Sequence, residues 1–266
     1  MNKVSIKDFK KIHKPRKDSH KGQNGRLMII AGSEMYHGAS ILPLKIASRI
    51  VDLVYFSSVP INNELVKMMK VDLTDFIAIP RRKIKNYMKK VDCVLIGPGM
   101  GTGWRSRRLT KKLLVKYPYR KLVLDADSLK IIKPELLNKN CIVTPHKREF
   151  EKLFKVKSTE DNVRKMSKKY GCVIVLKGKR DIICSPKDCR ENKTGNEGMT
   201  KGGTGDILAG LISALACKNE LFTAACLGTF INGLAGDKLE KRVSHYYNAF
   251  DLAEEIPKTM KWLEDQ

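Results

Sequence analysis

Leu27-Met28-Ile29-Ile30-Ala31-Gly32-Ser33 decides the fold: five consecutive apolar residues with no polar alternation, closed by a glycine where the chain must turn. A strand with one wet face alternates apolar and polar residues, whereas a strand buried on both faces reads as a continuous apolar run. The same pattern recurs at 53–57, 93–96, 122–124, 141–143, 172–176 and 181–184. Between these runs lie helix-like stretches at 39–51, 105–116, 147–154 and 159–170, and two long apolar ones follow at 205–217 and 221–238. The alternation predicts an α/β fold, a doubly wound and mostly parallel central sheet covered by helices on both faces. No linker or fixed-period repeat interrupts it, so a single domain over residues 1–266 is expected.

Composition narrows the class. Of 266 residues, 42% are hydrophobic and 30% charged, a globular mix that excludes disorder over most of the length. The 16-residue stretch 221–236 carries Asn232 and three glycines, too short and polar to span a bilayer, so no membrane partner is expected. The N-terminus has no apolar run resembling a signal peptide. Seven cysteines, mostly inside apolar runs, read as small core residues of a reduced, cytoplasmic protein, and Cys184 and Cys189 lack a second pair to complete a metal site. The net charge of +24, with a pI near 9.8, favours anionic partners. Residues 1–26 hold nine Lys or Arg against two Asp and read as a solvated, partly extended basic arm, or more sharply as a segment that helps bind an anion. Residues 186–201 read as a polar loop before a helix.

In open α/β sheets ligands bind outside the carboxyl ends of the strands. Those ends carry Gly32-Ser33, Gly97 to Gly103, Asp125-Ala126-Asp127, Thr144-Pro145-His146 and Lys177-Gly178. The strongest feature is Lys201-Gly202-Gly203-Thr204-Gly205-Asp206, running into an apolar helix. Its glycines let backbone approach a ligand, and the helix start offers unpaired N–H groups to an anion. Asp206 there reads either as a helix cap or as a general base that activates a hydroxyl toward a phosphoryl group. Gly97-Pro98-Gly99-Met100-Gly101 fits no G-x-G-x-x-G fingerprint, and no P-loop is present, which disfavours a Rossmann dehydrogenase and a P-loop NTPase. Lys177 reads as a snorkelling side chain or a phosphate contact, and His146 as structural or catalytic, with Glu149 one helical turn away.

In their order, these motifs resemble the NAD(P)H-hydrate dehydratase family of the ribokinase-like superfamily. The resemblance is carried by His20-Lys21-Gly22 and Gly25, Ala31-Gly32-Ser33, Tyr36-His37-Gly38-Ala39, Gly97-Pro98-Gly99-Met100-Gly101, Asp125-Ala126-Asp127-Ser128-Leu129, Thr144-Pro145-His146 with Glu149-Phe150, Lys177-Gly178, Asn192 with Thr194-Gly195-Asn196, and Met199 through Gly210. It implies dehydration of the hydrates of NADH and NADPH (S-form), with ADP or ATP and Mg²⁺. ADP would give AMP and phosphate; ATP would give ADP and phosphate. Residue by residue, it makes Asp206 catalytic and places Ala39, Gly101 and His146 against the hydrate. Lys177, Gly178, Lys179, Arg180 and Asp181, with Gly202, Gly203, Thr204 and Gly205, would bind the nucleotide. Glu149 matches the superfamily's N-x-x-E metal motif, with His146 in place of the Asn. The fused epimerase domain of many relatives is absent from this sequence, so an epimerase would be a separate chain. A homo-oligomer is expected.

Two other readings compete. A small-alcohol kinase, for a vitamin precursor or sugar, would share Asp206 and the glycine cradle but release a stable phosphorylated product. A nucleic-acid-binding protein would account for the charge, but no nucleic-acid motif is visible and only 7% of residues are aromatic. The resemblance therefore favours small-molecule substrates and no specific nucleic acid.

Overall fold

A computed structural model describes residues 1–69 and 75–266. Ten strands form one sheet in the order β1-β10-β9-β8-β7-β6-β5-β2-β3-β4. They are β1 (Asn2–Lys3), β2 (Arg26–Ile30), β3 (Leu53–Ser57), β4 (Ile77–Ala78), β5 (Cys93–Ile96), β6 (Lys121–Leu124), β7 (Cys141–Val143), β8 (Val173–Leu176), β9 (Asp181–Cys184) and β10 (Cys189–Asn192). Strands β2 to β8 are mutually parallel; β9 runs antiparallel to both β8 and β10. The expected mostly parallel sheet is present.

The helices cover both faces. They are α1 (Ile6–Phe9), α2 (Gly38–Ala47), α3 (Pro60–Met68), α4 (Ile84–Tyr87), α5 (Trp104–Lys116), α6 (Asp127–Ile131), α7 (Lys147–Phe154), α8 (Glu160–Tyr170), α9 (Thr204–Ala216), α10 (Leu221–Val243) and α11 (Ala249–Glu264). Side chains alternate across a strand, so β2 sends Leu27 and Ile29 into a core shared with α2, α9, α10 and α11. It sends Met28 and Ile30 into the opposite core, with Leu113, Phe150 and Val163 from α5, α7 and α8. Each of these four β2 residues is fully buried, which is why the run contains no polar position. Among the described residues, no helix is long and apolar enough to cross a membrane.

Four expectations change. The N-terminal arm is not a free extended segment: β1 pairs parallel to β10, and Val4, Phe9 and Ile12 are buried in the core. Burying three apolar side chains outweighs the local lysine density, whose charges stay in water. The polar loop at 186–201 contains β10, which is hydrogen-bonded to β9 despite its polar sequence. Helix α11 and helix α3 were not anticipated. Both start at recognisable signals, an Asn248 capping box and Pro60 at the first turn, but Pro257 inside α11 reads as a helix breaker and the apolar period of α3 is short. Finally, Cys184 and Cys189 are not free thiols: they face each other across the β9–β10 hairpin and form a disulfide, while the other five cysteines are free and buried.

Thiol titration tests this last point. Denatured without reductant, the chain should expose five reactive thiols, and seven after reduction; seven before reduction would show the hairpin to be unbridged.

Candidate active site

The C-terminal ends of β5, β6, β7 and β8 and the N-terminus of α9 converge on one polar cluster. Two glycines make the approach possible. Gly97, at φ +130°, lies where a Cβ would come within 1.9 Å of the Asp125 carbonyl oxygen. Gly203, at φ +96°, is the N-cap of α9, and a Cβ there would meet Leu42 at 2.4 Å. A side chain would push Gly97 away from the Asp125 turn, and Gly203 away from Leu42 and Ala249.

Asp125 is buried at the end of β6. It accepts from Thr144 Oγ1 at 2.7 Å and from Lys177 Nζ at 2.8 Å. Ala126 follows in a left-handed conformation at φ +49°, unusual for a residue with a Cβ. This reversal separates the two acids: Asp127 accepts from the Gly101 N–H at 2.8 Å and from Lys130 Nζ at 2.8 Å. Gly101 belongs to the turn whose Gly99 would, with a Cβ, touch Ala39 at 2.7 Å. The structure thus brings Ala39, Gly101, Asp127, Asp125 and Lys177 into one continuous corner.

Lys177 joins this corner to the glycine turn, since a Cβ on Gly205 would lie 3.8 Å from its Nζ. Thr204 Oγ1 donates to Met199 O at 2.6 Å and to Lys201 O at 2.9 Å, closing the turn. Tyr247, from the loop before α11, braces it from behind: its hydroxyl donates to Asn196 Oδ1 at 2.6 Å. Its carbonyl accepts from Lys201 Nζ at 2.7 Å. Asp206 is the third residue of α9, whose N-cap is Gly203, so Asp206 is not the helix cap. Burial, then the charges of Asp125 and Asp127, push its carboxyl up to about 7, against the opposing pull of Lys177. Burial also works against the Lys177 ammonium, but Asp125, with Glu149 and Asp206, outweighs it and holds that group above the usual lysine range.

Other expected site residues are partly occupied. His146 caps α7: its Nδ1 accepts from the N–H groups of Arg148 and Glu149 at 3.1 and 3.3 Å, and Glu149 accepts from the His146 N–H at 3.0 Å. Its backbone lies beside Lys177, whose N–H donates to Pro145 O at 2.9 Å. Arg180 pairs with Glu191 at 3.0 Å. Asp181 accepts from the Gly178 N–H and from Asn192 Nδ2, each at 3.1 Å, so its buried carboxylate shapes the turn. Lys179, Gly178 and Gly202 are exposed. Among the described residues no three His, Cys, Asp or Glu side chains come together as a metal cage. Asp125, Glu149 and Asp206 each act electrostatically on Lys177; carboxylates are the oxygen donors that suit Mg²⁺, but these three do not close into one donor set among the described residues. Asp125 was missing from the expected set as a Lys177 partner. The signal was present in Asp125-Ala126-Asp127, but 52 residues separate the pair and only the strand order unites it.

The comparisons with known proteins agree with one another. The family model described as NAD(P)H-hydrate dehydratase matches residues 27–258. The bifunctional NAD(P)H-hydrate repair enzyme Nnr of Methanocaldococcus jannaschii is 42% identical over 262 residues, covering 96% of this chain and 52% of that protein. The ADP-dependent (S)-NAD(P)H-hydrate dehydratase of Nitrosopumilus maritimus is 35% identical over 275 residues, covering 96% and 94%. A ribokinase-like superfamily protein from Enterococcus faecalis superposes with a TM-score of 0.90 at 24% identity, over 98% of this chain and 96% of that one. The fold is ribokinase-like. The chain spans about half the length of the first curated relatives it matches.

The raised Asp206 carboxyl has a consequence for stability. Its folded value, about 7, lies above its ordinary 3.8, so its contribution is complete at low pH and is lost as pH rises through about 7. Asp206→Asn should therefore raise the melting temperature near pH 8 relative to the wild type and change it little near pH 4. Equal melting temperatures at both would mean that Asp206 ionises as freely as in water.

Proposed function

Because the chain belongs to the NAD(P)H-hydrate dehydratase family, we propose that it converts the S-hydrates of NADH and NADPH back to the cofactors, with ADP or ATP as phosphoryl donor. The observation that carries this reading is a half-buried carboxylate, Asp206, set in the first turn of a helix within the field of Lys177 and poised near neutral pH. A residue whose pKa lies near the working pH is suited to take a proton and hand it on.

The hydrate's ring hydroxyl is a poor leaving group. Asp206 accepts its proton as the oxygen attacks the terminal phosphoryl group of the nucleotide, and the bond to the bridging oxygen breaks. With ADP the departing product is AMP. The ring nitrogen then expels the phosphate, a ring proton is lost to solvent, and the dihydronicotinamide is restored. The balance is hydrate plus ADP giving the reduced cofactor, AMP, phosphate and a proton. Lys177 and the unpaired N–H groups at the start of α9 face the negative charge on the phosphates. Glu149 is the residue that would hold Mg²⁺, and bound Mg²⁺ would supply neutralisation of the phosphoryl oxygens. Ala39 and Gly101 line the hydrate's side of the site, and His146 adjoins it across Lys177. Gly178, Lys179, Arg180 and Asp181 form the turn against the nucleotide, with Gly202 to Gly205 around its phosphates. The protein would work in the cytoplasm as a homo-oligomer, on small molecules rather than nucleic acid.

Incubation with hydrated NADH, Mg²⁺ and ADP or ATP should restore the NADH absorbance with release of phosphate. A stable phosphorylated alcohol, formed without recovery of absorbance, would instead establish the kinase reading. In Asp206→Asn the rate should fall by a factor on the order of 10²–10⁴ with nucleotide affinity equal or tighter. If that variant keeps most of its activity, the proton acceptor lies elsewhere, with His146 and Asp127 next. Asp125→Asn removes one of the charges that raise Asp206, so the acid limb of the rate profile should move down by about one pH unit.

A further inference from the structure

The ends of β2, β3 and β4 carry a second polar corner that the phosphoryl chemistry leaves unused. After β2 the chain turns at Gly32 and Ser33, and the Gly32 N–H donates to Pro98 O at 2.7 Å, tying this turn to the one that contains Gly101. Both carbonyls of the turn are taken by side chains: Arg81 Nη2 donates to Gly32 O at 2.9 Å, and Asn62 Nδ2 to Ser33 O at 3.2 Å. The amides of Ser33, Glu34 and Met35 donate to no acceptor among the described residues. Arg81 Nε is buried with no hydrogen-bond partner. Burial pulls this guanidinium below the usual arginine range. A half-buried cation with an unmatched donor is costly unless an anion completes it.

Position says which anion. In the sheet β2 lies two strand spacings from β6, whose end places Asp125 beside Asp206. That is roughly 10 Å, the order of the step from a nicotinamide ring across its ribose to the phosphates. Lys177, just past the end of β8, lies on the other side of β6, so a nucleoside diphosphate seated on it would leave this corner free. We propose that Arg81 is the specificity-determining anchor for a phosphate group of the substrate dinucleotide, received at the Gly32–Ser33 turn by the guanidinium and the free backbone amides. A guanidinium fork suits phosphate oxygens, and the amides add donors without further charge. The inference rests on the dehydratase reading and adds to it a residue that discriminates a dinucleotide from smaller alcohols.

The test is the kinetics of Arg81→Gln and Arg81→Lys with hydrated NADH and hydrated NADPH at saturating ADP, and of ADP at saturating hydrate. In Arg81→Gln the hydrate KM should rise on the order of 10- to 100-fold, while kcat and the KM for ADP stay within about twofold. A rise for both hydrates assigns the pyrophosphate; a rise for hydrated NADPH alone assigns the 2′-phosphate. Arg81→Lys should fall between the wild type and Arg81→Gln, and it carries the test if the Gln variant does not fold. Hydrate KM values unchanged in a folded variant would overturn the anchor, as would a KM for ADP that rises in step with them. Wild-type protein that turns over neither hydrate would sink the dehydratase reading. Dialysis binding of NADPH then judges Arg81 separately: weaker binding to Arg81→Gln retains the anchor, and equal binding removes it.

Discussion

The ion pair between Lys177 and Asp125 sets what the rest of the site can do. Asp125 is almost wholly enclosed and the lysine nearly so, at 3% and 20% side-chain exposure, and their charged atoms lie 2.8 Å apart. Removing either partner would leave an uncompensated charge in a poorly solvated place. The pair does more than hold the strands together. It fixes an ammonium beside Gly205, where phosphates would lie, and its carboxylate helps keep Asp206 from ionising early. One acid thus acts on the two groups proposed to do the chemistry, holding the cation in place and tuning the base.

The scaffold that permits this is a sheet buried on both faces. Because β6, β7 and β8 are adjacent and parallel, the residues just past their ends, Asp125, Thr144 and Lys177, stand side by side. Helix α9 then has to start at the same edge. Its N-cap, Gly203, fits only because nothing projects from it into Leu42 and Ala249. The polar network behind the turn serves the same end. Asp237 accepts from the Gly195 N–H and from Asn196 Nδ2, and Asn196 in turn accepts from Tyr247. Together these bonds hold the glycine turn to α10 and to the chain entering α11.

The large positive charge belongs mostly to a different level of the protein. Many basic residues pair at the surface, as Lys67 does with Glu64 and Lys261 with Asp265. Exposed pairs of this kind contribute about 0–1 kcal/mol each. The unpaired excess draws anions toward the surface in a salt-dependent way and carries no specificity. Specificity needs charges held in place, as Lys177 is by Asp125, Lys130 by Asp127 and Arg81 by the Gly32 carbonyl.

The sequence by itself determined the layers and most of the strands. An apolar run without alternation has one stable solution, a strand covered on both faces, and the seven runs from residue 27 to residue 184 all became strands. It also placed Gly97, Asp125, His146, Lys177 and Asp206 at strand or helix ends, because turn chemistry is local. What depends on partners far along the chain was decided only by the tertiary structure. The polar β10 is a strand because β9 pairs with it, and the basic N-terminus is anchored because Val4, Phe9 and Ile12 find an apolar surface built by later residues. The choice between helix cap and tuned acid at Asp206 was open for the same reason. A helix cap is written in neighbouring residues, whereas burial and the charges of Asp125 and Asp127 exist only once the strands are ordered side by side.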